Sequence, residues 1–168
     1  RFSPTTKVVS TTLLVGHNIK FDLMWLLETG FTYNKKVYDT MLGEYMLLRG
    51  QKWGISLADC CARRNITLKK SELVENYLKN GQGFDVIPMD IVEEYGKGDI
   101  ISTTELYREQ QRLFKKPSYY ELNKHLILMN NFLLVLTDIE RNGIQIDLEE
   151  LYKVRDDYEK EKEVLEQN

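Results

Sequence analysis

No stretch of about eighteen apolar residues occurs anywhere in the chain, so nothing in it reads as a membrane-spanning helix. The start, Arg1-Phe2-Ser3-Pro4, lacks a charged-then-apolar leader and an initiator Met. That suggests a piece of a longer, cytoplasmic protein rather than a secreted one. Cysteine is scarce: Cys60 and Cys61 are the only two, and they are adjacent. Neighbouring thiols cannot staple distant segments and lack metal-ligand spacing, so they read as reduced thiols on a helix. A basic excess is also missing, with a net charge of −3 and a pI near 5.5. This speaks against a dedicated nucleic-acid binder, but not against a metal-dependent nuclease, which concentrates carboxylates and borrows positive charge from its cations. Internal repeats and low-complexity tracts are absent.

What remains is 168 residues of ordinary globular composition, 42% hydrophobic and 29% charged, enough for one core and an appendage. Leu13-Leu14-Val15-Gly16 reads as a buried strand, followed by a helix over residues 21–27 that ends near Gly30. Val37-Tyr38 reads as a second short strand, and Asp39 stands where the next helix needs its N-cap. Ser56 caps a further helix marked by Leu57, Cys61 and Ile66. Asn80-Gly81-Gln82-Gly83 is a loop. A longer helical region opens after Pro88, with Ile91, Tyr95, Ile101 and Leu106 on its inner face and interruptions at Gly96 and Gly98. Pro117 breaks the chain, so Lys115-Lys116-Pro117-Ser118 is the expected boundary between residues 1–116 and 117–168. Residues 122–139 are apolar at helical periods, Asn142-Gly143 turns the chain, and Asp147 caps a last, highly charged helix. Trp25 and Trp53 are expected in packing rather than as base-stacking platforms.

Two constellations carry candidate chemistry. In Asn18-Ile19-Lys20-Phe21-Asp22, a carboxylate and an amide stand where a buried strand gives way to a helix, the end at which open α/β sheets bind ligands. Asp22 can hold a hard cation there, or can simply be an acid favoured by the helix dipole. In Tyr95-Gly96-Lys97-Gly98-Asp99, a continuing helix puts Tyr95 and Asp99 on one face. A phenol beside a carboxylate suits hydrolysis; a core tyrosine next to a surface acid is the other reading. His17 suits a hydrogen-bonded structural role, and His125 none. Arg63, Arg64, Lys69 and Lys70 fit a DNA backbone or a solvated face equally.

Taken together, Asn18-x-x-Phe21-Asp22, followed about seventy residues later by Tyr95-x-x-x-Asp99, resembles the second and third motifs of the DEDD exonucleases in their tyrosine subtype. The flanks agree: Val15-Gly16-His17-Asn18, Val37-Tyr38-Asp39-Thr40-Met41-Leu42 and Ser56-Leu57-Ala58-Asp59. Residues 138–147, Asp-Ile-Glu-Arg-Asn-Gly-Ile-Gln-Ile-Asp, are similar to the stretch that leads from exonuclease to polymerase in family A DNA polymerases. The resemblance implies an α/β, ribonuclease H-like exonuclease fold, here partial and mostly α-helical because its first strands are missing. It implies a single-stranded DNA 3′ end as substrate, a polymerase domain in the same parent chain, and two divalent cations, Mg²⁺ or Mn²⁺, about 4 Å apart. On this resemblance Asp22 and Asp99 are metal ligands, Tyr95 positions the attacking water, and Asn18 fixes the nucleotide or Asp22.

The same resemblance asks for an Asp-x-Glu motif on an earlier strand, and none precedes Asn18. Asp138/Glu140, Asp147/Glu149 and Asp157/Glu159 all lie downstream and read as surface acids. A site with half its carboxylates leads us to expect an inactive fragment of an active parent. We also expect an uncovered sheet edge that invites self-association or is covered by residues 1–12. A non-catalytic helical scaffold and a ribonuclease D-like exoribonuclease are the competing readings; the latter shares the first two motifs but not residues 138–147.

Overall fold

The computed structural model describes residues 13–33, 35–67 and 72–166. The chain divides into two compact units, residues 1–137 and 138–168. In the first unit, β1 (Leu13–Gly16), α1 (Ile19–Glu28) and β2 (Lys36–Asp39) form a β-α-β unit, the connection that a parallel strand pair requires. The strands pair in parallel, Leu14 opposite Val37 and Val15 opposite Tyr38.

Alternation along these strands sends successive side chains to opposite faces. On one face, Leu14 and Val37 pack with Ile19 and Leu23 of α1 and with Leu133. On the other, Leu13, Val15 and Tyr38 pack with Phe114, Tyr107 and Leu126. Helices therefore cover both faces of a two-stranded sheet, and the chain is otherwise mostly helical: α2 (Thr40–Leu48), α3 (Leu57–Arg63), α4 (Glu72–Lys79), α5 (Met89–Phe114) and α6 (Tyr120–Asn142). Short 3₁₀ turns at Phe84–Val86 and Pro117–Tyr119 precede α5 and α6. The expected strands and the caps at Asp39 and Ser56 are present, each cap side chain accepting a backbone N–H of its helix. The second unit carries α7 (Leu148–Glu166), opened by Asp147, whose carboxylate accepts the N–H groups of Glu149 and Glu150.

Several expectations are corrected. Gly96 and Gly98 do not interrupt α5, which runs unbroken for 26 residues. Each interior glycine costs about 1 kcal/mol relative to alanine, and the packing of Gly98, Ser102, Leu106 and Gln110 on the buried face outweighs that. Ile101 lies off this face and is 43% exposed. Ile66 falls outside α3, because Asn65 takes a left-handed φ of 55° and ends the helix, with the Ile66 N–H folded back onto the Cys61 carbonyl. The helix α4 had no counterpart in the sequence reading. Cys60 and Cys61 are buried free thiols on α3, as expected, and all three downstream Asp-x-Glu pairs are exposed. Lys69, Lys70 and residues 1–12, on which the backbone-contact and edge-covering expectations fall, lie outside the described residues.

Candidate active site

Everything in the site hangs on how the two strands end. After Gly16 the chain enters α1 through Asn18, whose backbone is left-handed (φ 59°, ψ 46°) and whose side chain makes no capping bond. Asparagine tolerates that conformation better than other non-glycine residues. The cap is supplied by the neighbouring strand instead. Buried Asp39 accepts the Asn18 N–H at 2.9 Å and the Met41 N–H at 2.8 Å on Oδ1, and the Ile19 N–H at 3.1 Å on Oδ2. One carboxylate thus terminates two helices, each favoured by the dipole at its N-terminus. From α6, Asn130 Oδ1 accepts the Asp39 N–H at 2.8 Å, while its amide donates to the Leu126 carbonyl at 2.9 Å.

This junction presents Asp22, one turn into α1, to a cavity of about 670 Å³. Asp99 of α5 lines the same cavity, together with His17 and the aliphatic side chains of Val15, Ile19, Leu26, Leu57 and Ile100. Burial raises the Asp22 carboxyl above its ordinary value, and the like charge of Asp39 adds to this. Burial also raises Asp99, opposed by a hydrogen bond from Tyr95 and by the charge of His17. Because α5 is continuous, Tyr95 and Asp99 stand one turn apart on one face and their side chains bond. Two carboxylates far apart in sequence are therefore brought to one cavity, with Tyr95 attached to one of them. Asn18 does not line the cavity; it forms the turn into the helix that carries Asp22.

His17 is held at both ring nitrogens, Nδ1 2.9 Å from the Thr40 hydroxyl and Nε2 2.9 Å from the Ile55 carbonyl. This bears out the structural role. A carbonyl only accepts, so neutral His17 carries its proton on Nε2. The Thr40 hydroxyl, 3.1 Å from the Gly16 carbonyl, then donates to either that oxygen or Nδ1, not both. Burial lowers the His17 pKa, opposed by the Ile55 bond and nearby carboxylates.

Sequence reasoning missed a second buried system behind this wall. Glu44 is fully buried and accepts from Arg63 Nη1 at 2.8 Å, Arg64 Nη2 at 2.9 Å and Gln110 Nε2 at 3.3 Å. Gln110 also donates to the Thr40 carbonyl and accepts from the Tyr38 hydroxyl. Arg63 and Arg64 are thus held by a buried carboxylate rather than lying on a freely solvated face, their side chains being 20% and 19% exposed. Gly43 makes room for this: a Cβ there would collide with the Gln110 amide oxygen. No local sequence signal marked Glu44, since a glutamate on a helix ordinarily faces water. Trp25 and Trp53 correct the packing expectation, each being 64% exposed.

A family model described as 3′-5′ exonuclease, of DNA polymerase A, matches residues 4–114. DNA polymerase I of Borreliella burgdorferi is 28% identical over 138 residues, covering 82% of this chain and 14% of that protein. DNA polymerase I of Chloroflexus aurantiacus is 29% identical over 140 residues, covering 81% and 14%. A DNA polymerase of Bacillus phage SP01 is 28% identical over 151 residues, covering 88% and 16%. The chain spans about a seventh of the length of these curated relatives.

Proposed function

The chain belongs to the 3′-5′ exonuclease family of DNA polymerase A, and on that premise we propose that it is part of the proofreading exonuclease of a DNA polymerase. The substrate is the unpaired 3′ end of DNA. The observation that carries the reading is the convergence of Asp22 and Asp99 on one cavity with Tyr95 bonded to Asp99. The relatives named above are DNA polymerases, which supports DNA over RNA and an enzyme over a scaffold.

In this reading water attacks the terminal phosphorus, the bond to the 3′ oxygen breaks, and a nucleoside 5′-monophosphate leaves. Tyr95, tethered to Asp99, orients the attacking water. The aliphatic wall holds the terminal nucleoside, and Asn18, which forms the turn into α1, fixes Asp22 rather than the nucleotide. Asp22 and Asp99 are the groups that would hold Mg²⁺ or Mn²⁺. Their hard oxygen donors fit, since Mg²⁺ commonly takes one or two protein carboxylates and completes its shell with water and phosphate. When bound, the two cations supply Lewis acidity toward the phosphate oxygens. Among the described residues no group of three or more His, Cys, Asp or Glu side chains is placed to hold a metal. With only two of the carboxylates that the family resemblance asks for, we expect this chain alone to bind cations weakly and to be inactive or nearly so.

Residues 1–116 are read as the exonuclease part, of ribonuclease H-like kinship, and 117–168 as the connection toward a polymerase domain in the same parent. The bacterial and phage sources of the relatives support a parent that acts in the cytoplasm of a bacterium or phage-infected cell. Among the described residues, β1 has a strand neighbour on one side only, and we place self-association there; a single monomeric mass by light scattering across concentration refutes that part.

The test is Mn²⁺ binding followed by electron paramagnetic resonance. Asp22→Ala and Asp99→Ala each weaken binding at least ten-fold, whereas Tyr95→Phe leaves binding intact but lowers the hydrolysis rate of a 3′-labelled strand by the full-length polymerase. Unchanged Mn²⁺ affinity in both aspartate variants sinks the assignment.

A further inference from the structure

Resting on the exonuclease reading above, we propose that Trp25 is a stacking platform for a base of the unpaired DNA strand leading into the Asp22–Asp99 cavity. The helix α1 buries Ile19 and Leu23 against the sheet, yet it leaves the indole of Trp25 64% exposed. Its position on the helix is specific. Trp25 follows Asp22 by three residues and precedes Leu26 by one, and both of those line the cavity. At about 100° per residue, Trp25 lies about 60° around the helix from Asp22 and about 100° from Leu26, beside the cavity lining rather than in it.

The indole is also braced. Phe21, one turn earlier and 59% exposed, meets it edge-on with ring centroids 6.3 Å apart at 67°. An edge-to-face pair sets the orientation of the indole. Trp53 provides the contrast: equally exposed, it has the Arg63 guanidinium over its ring at 5.7 Å. No cation stands over Trp25 among the described residues.

The occupant follows from the cavity beside it. Its walls are largely aliphatic, Val15, Ile19, Leu26, Leu57 and Ile100 around two carboxylates, which suits a nucleoside with its phosphate. At about 670 Å³ it falls in the size range of small-ligand sites. A strand whose last nucleotide sits there has to leave across the rim, where the indole offers a π-face to the next bases. A base within a duplex is stacked on both sides already, so the platform selects an unpaired strand. Every base has a π-face, so it does so without regard to sequence.

The experiment uses Trp53→Phe, which leaves Trp25 as the sole tryptophan, with Ca²⁺ replacing Mg²⁺ to suppress hydrolysis. A short 5′-labelled oligothymidylate is followed by anisotropy while indole fluorescence is read in parallel. We expect saturable quenching with the same midpoint as the anisotropy, none with a blunt duplex, about a ten-fold loss of affinity in Trp25→Ala, and recovery of most of it in Trp25→Tyr. Oligonucleotide binding without quenching overturns the proposal, as does unchanged affinity in Trp25→Ala. Quenching that rises with protein concentration in the absence of DNA also overturns it, because a second copy then covers the indole. The underlying reading is scored separately by Mn²⁺: Asp22- and Asp99-dependent Mn²⁺ binding without strand binding removes the platform alone, and Mn²⁺ binding indifferent to both aspartates removes the exonuclease site itself.

Discussion

Replacing Glu44 by glutamine changes one atom and little volume, yet it removes the buried charge with which Arg63 and Arg64 pair. The carboxylate has no exposed surface, while the two arginine side chains are 20% and 19% exposed. Hydrogen bonds to a charged group contribute about 1.5–3 kcal/mol each. In Glu44→Gln the amide nitrogen turns a donor toward donors, so at least one arginine contact and the Gln110 contact are lost. Partial rehydration of the arginines offsets some of this. The net cost is then about 3 kcal/mol, the lower end for breaking a buried pair from one side. For a chain of this size that lowers the melting temperature by roughly 6–12 °C. Urea unfolding followed by far-ultraviolet circular dichroism measures it directly. A companion variant, Glu44→Leu with Arg63→Met and Arg64→Met, removes all three charges and regains most of the loss, because an apolar replacement leaves nothing buried and unpaired. Glu44→Gln within about 1 kcal/mol of the parent, or a triple variant less stable than the single one, refutes the reasoning.

The cavity carboxylates behave in the opposite sense. Asp22 and Asp99 are raised above 3.8 mainly by burial, so their charged forms oppose folding: the stability they contribute is fully present below the unfolded value and lost as pH rises through the folded one. Asp22→Asn and Asp99→Asn therefore raise the melting temperature at neutral pH, and the gain vanishes below pH 3.8; a gain that persists in acid contradicts this. Burial pushes Cys60 and Cys61 up to about 11, so the native chain resists thiol alkylation at neutral pH and reacts fully in urea. Rapid native labelling of either thiol would count against their packing. Gly43→Ala gains helix propensity of about 1 kcal/mol but meets Gln110, and overpacking of about 1–3 kcal/mol prevails. A more stable Gly43→Ala in denaturant unfolding shows that Gln110 can move aside.

The local elements and the chemistry-bearing residues were legible in the sequence because both depend on short-range pattern. β-Branched and apolar runs bounded by Gly16 and Asp39 specify two buried strands, and Asp39, Ser56 and Asp147 announce their helices through the capping bonds that backbone N–H groups require there. Asn18, Asp22, Tyr95 and Asp99 stand in an order that resembles the exonuclease motifs, and the fold brings Asp22 and Asp99 of that set to one cavity. Tertiary structure alone decided how α5 survives two glycines, since the burial of Gly98, Ser102 and Leu106 overrides a propensity that counts only neighbours along the chain. It also decided that Asp39 caps two helices at once, and that buried Glu44 engages Arg63 and Arg64. The last two assignments depend on residues that meet across 19 to 21 positions in sequence. It left the indole of Trp25 64% exposed, where helical periodicity placed the ring on a face but could not say what, if anything, would cover it.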